Sequence, residues 1–566
     1  MISGAYANVL DYGADATGGA TSTLAFQKAV DSLPLGGVVY VPPGTYLLFS
    51  AVVLNSKITI KGAGASSILK GAFAGPDYLI SANGKTNLIL EDLHFNPNGV
   101  SLIFVSCSYV QIINCSGDGV RVEDNNLTAQ GFSFNGCDQV DITNCFFSNY
   151  RDCIYLDKAG ATPCVTVRVT GGRISQTVHG SLVQYPTGVY AYECVNCTVT
   201  NVEFSNIKPS SNSTDPAPYG YGFYEGDGVP GTINAMKVIN CRFLDDDVST
   251  AFPMIGAFMS ITDTGIIDSC YFKGLGNSLG VLSNCRDFTL NNCLFDRSVV
   301  TTTRSGALVG SNPVYKQQTF SNNVFKNTTG TSPALFIMQV QGVDDSYLTN
   351  ATIQGNVFTK CGGSAVRGGT VSHVTISNNT VIDCSRTGYG AAAFTFEAGS
   401  GYIDGNTVMN ITDGLFAYAF EYSNNSASNQ YVVTANNFFK GMGISPVHFG
   451  FTASPAVGTW SQGMEVAYWS TPAGGTPGWL CTSSGTFSAA STTGSITSGS
   501  ANLTVASAAG FSVGDYITIA GVTGIVPILA ISGLVFTIGN AADATVAAAA
   551  VVTPDPIFKT LAAIAA

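Results

Sequence analysis

Residues 236–243 read MKVINCRF, residues 265–272 read GIIDSCYF, and residues 288–295 read FTLNNCLF. Each stretch is a short run of β-forming residues that leads to a polar residue, then Cys, then Phe two positions later. Similar copies recur from about residue 85 to 440, at steps from 23 residues (270 to 293) to 39 residues (202 to 241). Repeats of this length indicate stacked supersecondary units.

The residue that follows the polar position is taken as an anchor facing the core. Its copies fall at 115, 145, 202, 241, 270, 293, 324, 357, 380, 407 and 438, and VTVRVTGGRI at 165–174 is a degenerate copy. The units are rich in Val, Ile, Thr and Phe and are broken by Asn and Gly. They predict an all-β chain folded as a right-handed parallel β-helix, with coils about 4.8 Å apart.

The composition and charge of the chain disfavour several classes of partner and of binding site. The chain has 566 residues, 64 of them Gly, with 11% charged residues and a net charge of −12, so a nucleic-acid partner is disfavoured. No signal-peptide pattern or membrane-spanning run is evident. The 15 cysteines are expected to be reduced and stacked inside the helix. Cys194 and Cys197 lack a second pair, and neither a metal nor a cofactor is expected.

A β-helix needs a cover over its first coil. Residues 20–33, ATSTLAFQKAVDSL, form the best amphipathic helix in the sequence. Its predicted apolar side comprises Leu24, Phe26, Ala29, Val30 and Leu33.

The first 70 residues carry recognisable motifs. These are DYGA at 11–14, GGVVYVPPGTY at 36–46 and KGAG at 61–64. With the helix, they resemble the opening of the pectate-lyase-like β-helix superfamily, especially bacteriophage tailspikes and capsular polysaccharide depolymerases. The resemblance is specific for fold and weak for chemistry.

The C-terminal region extends the resemblance. AYWSTPAGGTPGWLCTSSGTF at 467–487 is similar to the closing segment of phage tailspike chains, and a Ser/Thr/Ala-rich β module follows. We expect 1–70 to hold the cap and first coils, 71–450 the β-helix, and 451–566 β modules for trimerisation or carbohydrate binding. The resemblance implies a homotrimer on the virion tail, joined to the phage through a segment absent from this chain.

Five strands end in an acid: Glu123, Asp157, Glu193, Glu225 and Asp263. Their spacing of 32 to 38 residues matches the coil length, so they are predicted to form a ladder on one face. Adjacent rungs would place carboxyls about 5 Å apart, close to the separation used by glycosidases. Glu193, Glu225 and Asp263 are the predicted catalytic acids, with Asp227 as a further candidate; acids at strand ends are also common simply because strands finish at solvent.

Tyrosines surround these acids in the sequence. Tyr190, Tyr192, Tyr221 and Tyr224 are predicted to stack on sugar rings, with His179 as a further substrate ligand. A polar insert at 206–220 lies beside them and is expected to shape the groove.

Three activities remain open at this point. The first is hydrolysis of a capsular or O-antigen polysaccharide by paired carboxylates. The second is a lyase reaction by β-elimination, for which His179, Lys158, Arg168 and Arg173 are candidates. The third is a receptor-binding tail protein without catalysis.

Overall fold

The computed structural model describes residues 5–71, 78–97, 100–119, 130–175, 186–192, 194–207, 220–226, 234–245, 254–259, 263–274, 281–283, 285, 287–296, 317–327, 334–337, 348–361, 363–384, 392–409, 418–422, 431–440, 447–449, 454, 458–460, 462–463, 465–467, 478–487 and 490–560. Over these ranges the chain is nearly all β, and no helix there is long and apolar enough to cross a membrane. Two compact units form: Met1–Leu348 with Thr352–Val366 and Thr380–Tyr389, and Thr349–Ala351 with Arg367–Asn379 and Gly390–Ala566. The predicted division at 70 and 450 stays a prediction.

The predicted N-terminal helix is present and covers Thr23–Asp31. The ring of Phe26 packs edge-on against that of Tyr46, with 5.4 Å between centroids. Leu24 is 64% exposed, so its predicted burial is wrong. Residues two apart on a helix differ by roughly 200°, which turns Leu24 away from the side that Phe26 occupies. The buried side consists of Phe26, Ala29, Val30 and Leu33.

The helix also covers the edge of a sheet. The strand Val52–Val53 lies at the end of a sheet of parallel strands, whose members are given below. Its Val53 N–H donates to Gln27 Oε1 at 2.9 Å, and Gln27 Nε2 donates to the Val53 carbonyl at 3.1 Å. The carboxamide therefore takes the place of a neighbouring strand, and the edge is not left unpaired.

Three ladders of parallel strands run along the coils of the first unit, which confirms the predicted right-handed parallel β-helix. The first sheet is Val52–Val53, Tyr78–Asn83, Val100–Val105, Gln130–Asn135, Asp152–Asp157, Thr187–Ala191, Gly220–Glu225, Met254–Met259 and Val281–Ser283. Each strand pairs in parallel with the strand one coil later, so a position in one coil has a defined neighbour in the next.

The second ladder begins with Tyr6–Asn8 and continues through Gly37–Tyr40, Ile58–Lys61, Thr86–Glu91, Ser108–Ile113, Asp138–Ser148, Val165–Ser175, Asn196–Thr200, Ala235–Ile239, Thr264–Asp268, Asp287–Asn291 and Gln317–Ser321. The third begins with Thr17–Thr21 and continues through Gly44–Leu48, Ser67–Gly71, His94–Asn96, Ser116–Asp118, Glu203–Ser205, Arg242–Asp245, Tyr271–Gly274, Leu294–Asp296, Val324–Lys326, Val357–Thr359 and Thr380–Ile382. The long strands Asp138–Ser148 and Val165–Ser175 belong to both ladders.

The corner between the second and third ladders explains the Asn-Cys repeat. The residue before the anchor has a left-handed backbone, with φ of +51° at Asn240 and +53° at Asn292. Asn adopts this conformation more readily than most residues that carry a side chain. Gly171 takes the position in the degenerate copy, where a Cβ would lie 2.4 Å from Asn144 Oδ1. The repeat therefore marks a sharp bend in every coil.

After the bend, the side chains of the anchors Cys241, Cys270 and Cys293 point inward, and the Cys270 and Cys293 thiols accept bonds from the preceding coil. Cys241 N–H donates to Cys270 Sγ at 3.4 Å, and Cys270 N–H donates to Cys293 Sγ at 3.4 Å. Cys293 N–H donates to Asn323 Oδ1 at 2.9 Å. We call Cys241, Cys270, Cys293 and the inward residues that continue this line the corner column; its side chains satisfy buried N–H groups of the neighbouring coils.

The predicted anchors Val324 and Val357 lie one residue too late. Both are half-buried on the outer side, and the corner column continues through Asn323 and Asn356, which are fully buried. Asn323 Nδ2 donates to Asn356 Oδ1 at 3.0 Å and to the Leu290 carbonyl at 2.9 Å. An amide paired in this way can be buried like an apolar side chain. The same shift replaces the predicted 380, 407 and 438 by Asn379, Asn406 and Asn437.

A stack of phenylalanines fills the core beside the corner column. Successive ring centroids are 4.6 to 4.9 Å apart and the ring planes lie within 7° of parallel. The spacing equals the rise of one coil, so each ring contacts the ring above and the ring below. The stack comprises Phe204, Phe243, Phe272, Phe295, Phe325 and Phe358.

All fifteen cysteines are buried thiols, which confirms their predicted state. Burial raises the pKa of Cys164 to about 11 and that of Cys145 to about 12. The thiols of Cys164 and Cys145 therefore stay protonated at neutral pH and act as small apolar side chains.

The second unit continues with β-strands Val366–Ser377, Ala392–Asp404, Thr407–Met409, Tyr418–Tyr422, Tyr431–Ala435, Phe438–Lys440 and Val447–Phe449. The Ser/Thr/Ala-rich segment predicted to hold short strands is a closed barrel of Ser491–Ile496, Asn502–Val505, Tyr516–Ile519, Val526–Ser532, Val535–Ile538 and Val546–Val552. The strands Gly478–Ser483 and Ile557–Thr560, on either side of the barrel in sequence, pair antiparallel with each other. The barrel is therefore an insertion within a small sheet that also contains Glu465–Ala467, and Gly458–Trp460 pairs with Gly485–Phe487.

Candidate functional site

A column of aromatic rings crosses four coils of the first sheet. Tyr155 pairs in register with Tyr190, Tyr190 with Tyr224, and Tyr224 with Phe258. The ring centroids are 5.3, 4.9 and 5.0 Å apart. All four side chains are half-buried, while the residues next to them along each strand are buried. The rings therefore lie on the outer side of the sheet.

Two further tyrosines join this column. The ring of Tyr192 lies 5.9 Å from that of Tyr190, and the ring of Tyr221 lies 4.7 Å from that of Tyr224. Strand alternation breaks between Tyr221 and Tyr224, because the two residues between them are both buried. That irregularity lets both rings share the outer side. We call the set Tyr155, Tyr190, Tyr192, Tyr221, Tyr224 and Phe258 the tyrosine face.

A carboxylate is fixed at one end of this face. Tyr155 Oη donates to Asp157 Oδ2 at 3.1 Å, and the Lys158 N–H donates to Asp157 Oδ1 at 2.7 Å. Burial, followed by the charge of Asp157, raises the pKa of Tyr155 well above its usual range. Tyr155 therefore stays a hydrogen-bond donor, and Asp157 is held beside Tyr192, whose N–H bonds to the neighbouring Leu156 carbonyl.

A second carboxyl, Asp152, begins the same strand and was missed by the sequence reasoning. It is 2% exposed and accepts a hydrogen bond from Arg151 Nε at 2.8 Å. Burial raises the pKa of Asp152, while Arg151 and the Thr187 hydroxyl act in the opposite direction. Its charge also acts on Tyr155. The signal in the sequence was the run RDCIYLD at 151–157, in which acids open and close one strand.

The predicted ladder of acids is not in register. Glu225 pairs with Ala191, two residues before the predicted rung Glu193, and on the other side it pairs with Met259. Glu225 is 1% exposed and shares its column with the buried Ala191 and Met259. The alignment failed because it matched the acids that end each strand, whereas the chain pairs the strands by their inward side chains.

Asp263 lies at a corner, four residues beyond Met259 in the chain. Its Oδ2 accepts the Asn234 N–H at 3.1 Å, one coil earlier. This is the same kind of bond that the corner column makes, and it gives the carboxylate a structural part in the turn. Asp263 is therefore not a rung beside Glu225, contrary to the predicted ladder.

Four residues of the predicted ladder and site lie outside the described residues: Glu123, Glu193, Asp227 and His179. Most of the predicted insert, residues 208–219, does so as well. Their roles stay predictions.

Two cations proposed for elimination lie on other ladders. Arg168 is on the second ladder and pairs with Asp141, 3.1 Å from Nη1 to Oδ1. Arg173 is on the third ladder and pairs with Glu203, 3.2 Å from Nε to Oε1. Of the predicted basic residues within the described ranges, Lys158 alone borders the tyrosine face.

Within the described ranges, no group of three or more His, Cys, Asp or Glu side chains is arranged to hold a metal ion.

Comparison with known families agrees with this architecture. Residues 6–208 match the family described as Rhamnogalacturonase A/epimerase, pectate lyase-like, and residues 130–338 match the right-handed beta helix region. Both matches include the strands that carry Asp152, Asp157 and Tyr190.

A curated relative is rhamnogalacturonase A of Emericella nidulans. It is 28% identical over 193 residues, which cover 28% of this chain and 36% of the relative. The match thus spans about a third of the relative's length.

Solved structures with a similar course of chain include three proteins. The A-module of mannuronan C-5 epimerase AlgE4 from Azotobacter vinelandii is 14% identical (79% of this chain, 98% of that one, TM-score 0.32). The Streptococcus pneumoniae surface protein and adhesin PfbA is 13% identical (78% and 100%, TM-score 0.38), and tailspike protein 3 of bacteriophage CBA120 is 12% identical (76% and 61%, TM-score 0.41). At these TM-scores the likenesses carry no argument about activity. The two family matches overlap over residues 130–208, and each covers less than half of the chain.

Proposed function

We propose that this chain binds a bacterial surface polysaccharide, capsular or O-antigen, on the tyrosine face and hydrolyses its glycosidic bonds. The observation that carries the proposal is the run of outward rings on four consecutive coils, with Asp152 and Asp157 on the first of them. Sugar rings stack on aromatic faces through their apolar C–H groups. A run of rings spaced about 4.8 Å apart offers such a surface to several sugars of one polymer.

Hydrolysis needs two carboxyls, about 5–5.5 Å apart for retention or about 6.5–9.5 Å for inversion. Asp152 and Asp157 are five residues apart on one extended strand, or about 16 Å between Cα atoms, so each needs a partner from another coil. For Asp157, the proposed partner is Glu193, which follows Tyr192 in the chain. The Asp157 carboxyl, which accepts from the Tyr155 hydroxyl and the Lys158 N–H, would be one member of that pair.

The biological setting is part of the same proposal. We place the protein on the virion tail of a phage, as a homotrimer that acts at the bacterial cell surface. The support is the likeness of residues 467–487 to closing segments of tailspikes, together with the β modules that follow.

Purified capsular and O-antigen polysaccharides test the proposal. New reducing ends and a falling polymer mass are expected with the unaltered protein. Tyr190→Ala should weaken binding, and Asp157→Asn should abolish cleavage with binding retained. Tyr271→Ala and Asp141→Asn, on the third and second ladders, are the matched controls and should behave as the unaltered protein. An unsaturated product absorbing in the near ultraviolet would replace hydrolysis by β-elimination.

A second candidate function is receptor binding without cleavage. It is favoured by one observation: Glu225 is buried in an inner column and Asp263 bonds within a corner, so two of the predicted acids do not line the tyrosine face. Binding that depends on Tyr190, with polymer mass unchanged after prolonged incubation, would decide for this function.

A further inference from the structure

The charges on the tyrosine face come in neighbouring pairs. Arg151 donates to Asp152, and Lys158 follows Asp157 and donates its backbone N–H to that carboxylate. Among the described residues of the first sheet that border the rings, the two cations Arg151 and Lys158 are thus matched in number by the two carboxyls Asp152 and Asp157. A polymer resting on the rings meets no surplus of positive charge there.

The other described arginines of the first unit, Arg168, Arg173 and Arg242, form ion pairs on other ladders. Arg168 pairs with Asp141 on the second ladder. Arg173 and Arg242 both pair with Glu203 on the third, at 3.2 and 2.9 Å. These guanidinium groups stand on different sides of the coil from the tyrosine face, and their ion pairs bind strands of adjacent coils together.

From this distribution we infer that the sugars held on the tyrosine face are uncharged, and that a polyuronate is a poor ligand there. The inference deepens the proposed function and rests on it. A chain with a net charge of −12 repels a polyanion at long range. At short range, uronate carboxylates would be brought next to Asp157, and the ring surfaces would strip water from them without supplying a cation.

The same charges bear on the reaction. β-Elimination removes the proton beside a uronate carboxylate, and a cation must neutralise that carboxylate as negative charge develops. The tyrosine face lacks a surplus cation for this among the described residues, and an uncharged sugar has no carboxylate to activate. Hydrolysis requires neither, so an uncharged substrate and a hydrolytic reaction belong together.

The test compares polymers that differ only in charge. Polygalacturonate, alginate and hyaluronan are each paired with their carboxyl-reduced forms, in which the uronate carboxylate is replaced by a hydroxymethyl group. Neutral bacterial polysaccharides complete the panel. Binding is measured at low and at high salt for the unaltered protein, Tyr190→Ala and the control Tyr271→Ala.

The expected result is binding to uncharged polymers that is lost in Tyr190→Ala, kept in Tyr271→Ala and insensitive to salt. Asp157→Asn should strengthen binding of a native uronate polymer severalfold at low salt and leave its reduced form unchanged. Tyr190-dependent binding confined to native uronate polymers, weakened by salt, overturns this inference and leaves the proposed function standing. If no polymer of either class binds through Tyr190, the proposed function fails and the inference fails with it.

Discussion

The corner column and the tyrosine face are both built from side chains stacked coil on coil, yet they stack differently. Along the corner column each rung repeats one bond, from a backbone N–H to the Sγ or Oδ1 of the next coil, at 3.4 or 2.9 Å. On the tyrosine face, successive rings meet at 79°, 83° and 19°. A buried rung must reproduce its neighbour's shape and polarity, whereas an outward ring is free to turn.

This difference separates stability from recognition within a single coil. Buried polar groups left unpaired are costly, so an inner rung tolerates few residue types. The role of an outward ring depends on the ligand surface that it can contact. The angle of its plane has little effect on the free energy of unfolding. Substitutions in the inner stacks should therefore unfold the chain, and substitutions on the tyrosine face should change what it binds.

The largest effect is expected at the phenylalanine stack. Phe272 lies between Phe243 and Phe295, with ring centroids 4.7 and 4.6 Å away. Phe272→Ala should lower the free energy of unfolding by about 3–5 kcal/mol, because it opens a cavity between two rings. Denaturant unfolding of the first unit measures this. The adjacent Tyr271→Ala, on the outer side, is the control. Equal losses of unfolding free energy for the two variants would show that inner and outer rings contribute equally to stability.

Substitution of Asn323 tests whether the amides of the corner column stabilise the fold. Asn323→Leu leaves the Cys293 N–H and the Leu290 carbonyl without their partner amide. Unsatisfied buried groups cost about 1–3 kcal/mol each, and we expect a total loss near 2–4 kcal/mol in unfolding experiments. Asn322→Gly is the matched control, because residue 322 is exposed and has a φ of +57° that Gly adopts freely. A leucine variant as stable as this control would show that apolar packing alone holds the corner.

The same contrast explains how much the sequence could predict. Inner rungs repeat because their surroundings repeat, so the β-helix and the state of the cysteines were predictable from the pattern. Val324 was misassigned because Asn323 looks like a surface residue until a neighbouring amide pairs with it. Outward positions carry no such repeat, and the acids were aligned two residues out of register at Glu193 and Glu225. Asp152 was missed because nothing in its local sequence shows that it would be buried against Arg151.

Tyr190 is expected to contribute more to the affinity for the ligand than to the stability of the fold. Its ring contacts Tyr155, Tyr192 and Tyr224, so it is central to the tyrosine face. Tyr190→Ala should lower affinity for the bound polysaccharide about tenfold, or about 1.4 kcal/mol. Calorimetric titration with the polymer measures the loss, and denaturant unfolding of the same sample shows whether stability moves. A larger change in stability than in affinity would assign this ring to the core.

The smallest effect concerns Asp152, which is buried at the start of a strand that carries the tyrosine face. Burial raises its pKa above the unfolded value of 3.8, so the folded chain retains this proton to higher pH. The associated stability is fully present below 3.8 and is lost as pH rises through the folded pKa. Asp152→Asn keeps an acceptor for Arg151 but stays neutral, so it should escape that decline. Free energies of unfolding measured at a series of acid pH values should show the stability of the wild type falling relative to that of the variant as pH rises.

Asp141→Asn, at a more exposed carboxylate, is the control and should remain within about 0.5 kcal/mol of wild type throughout. If Asp152→Asn instead loses stability relative to wild type as pH rises, the Arg151 ion pair outweighs burial and Asp152 serves the fold as a charged group.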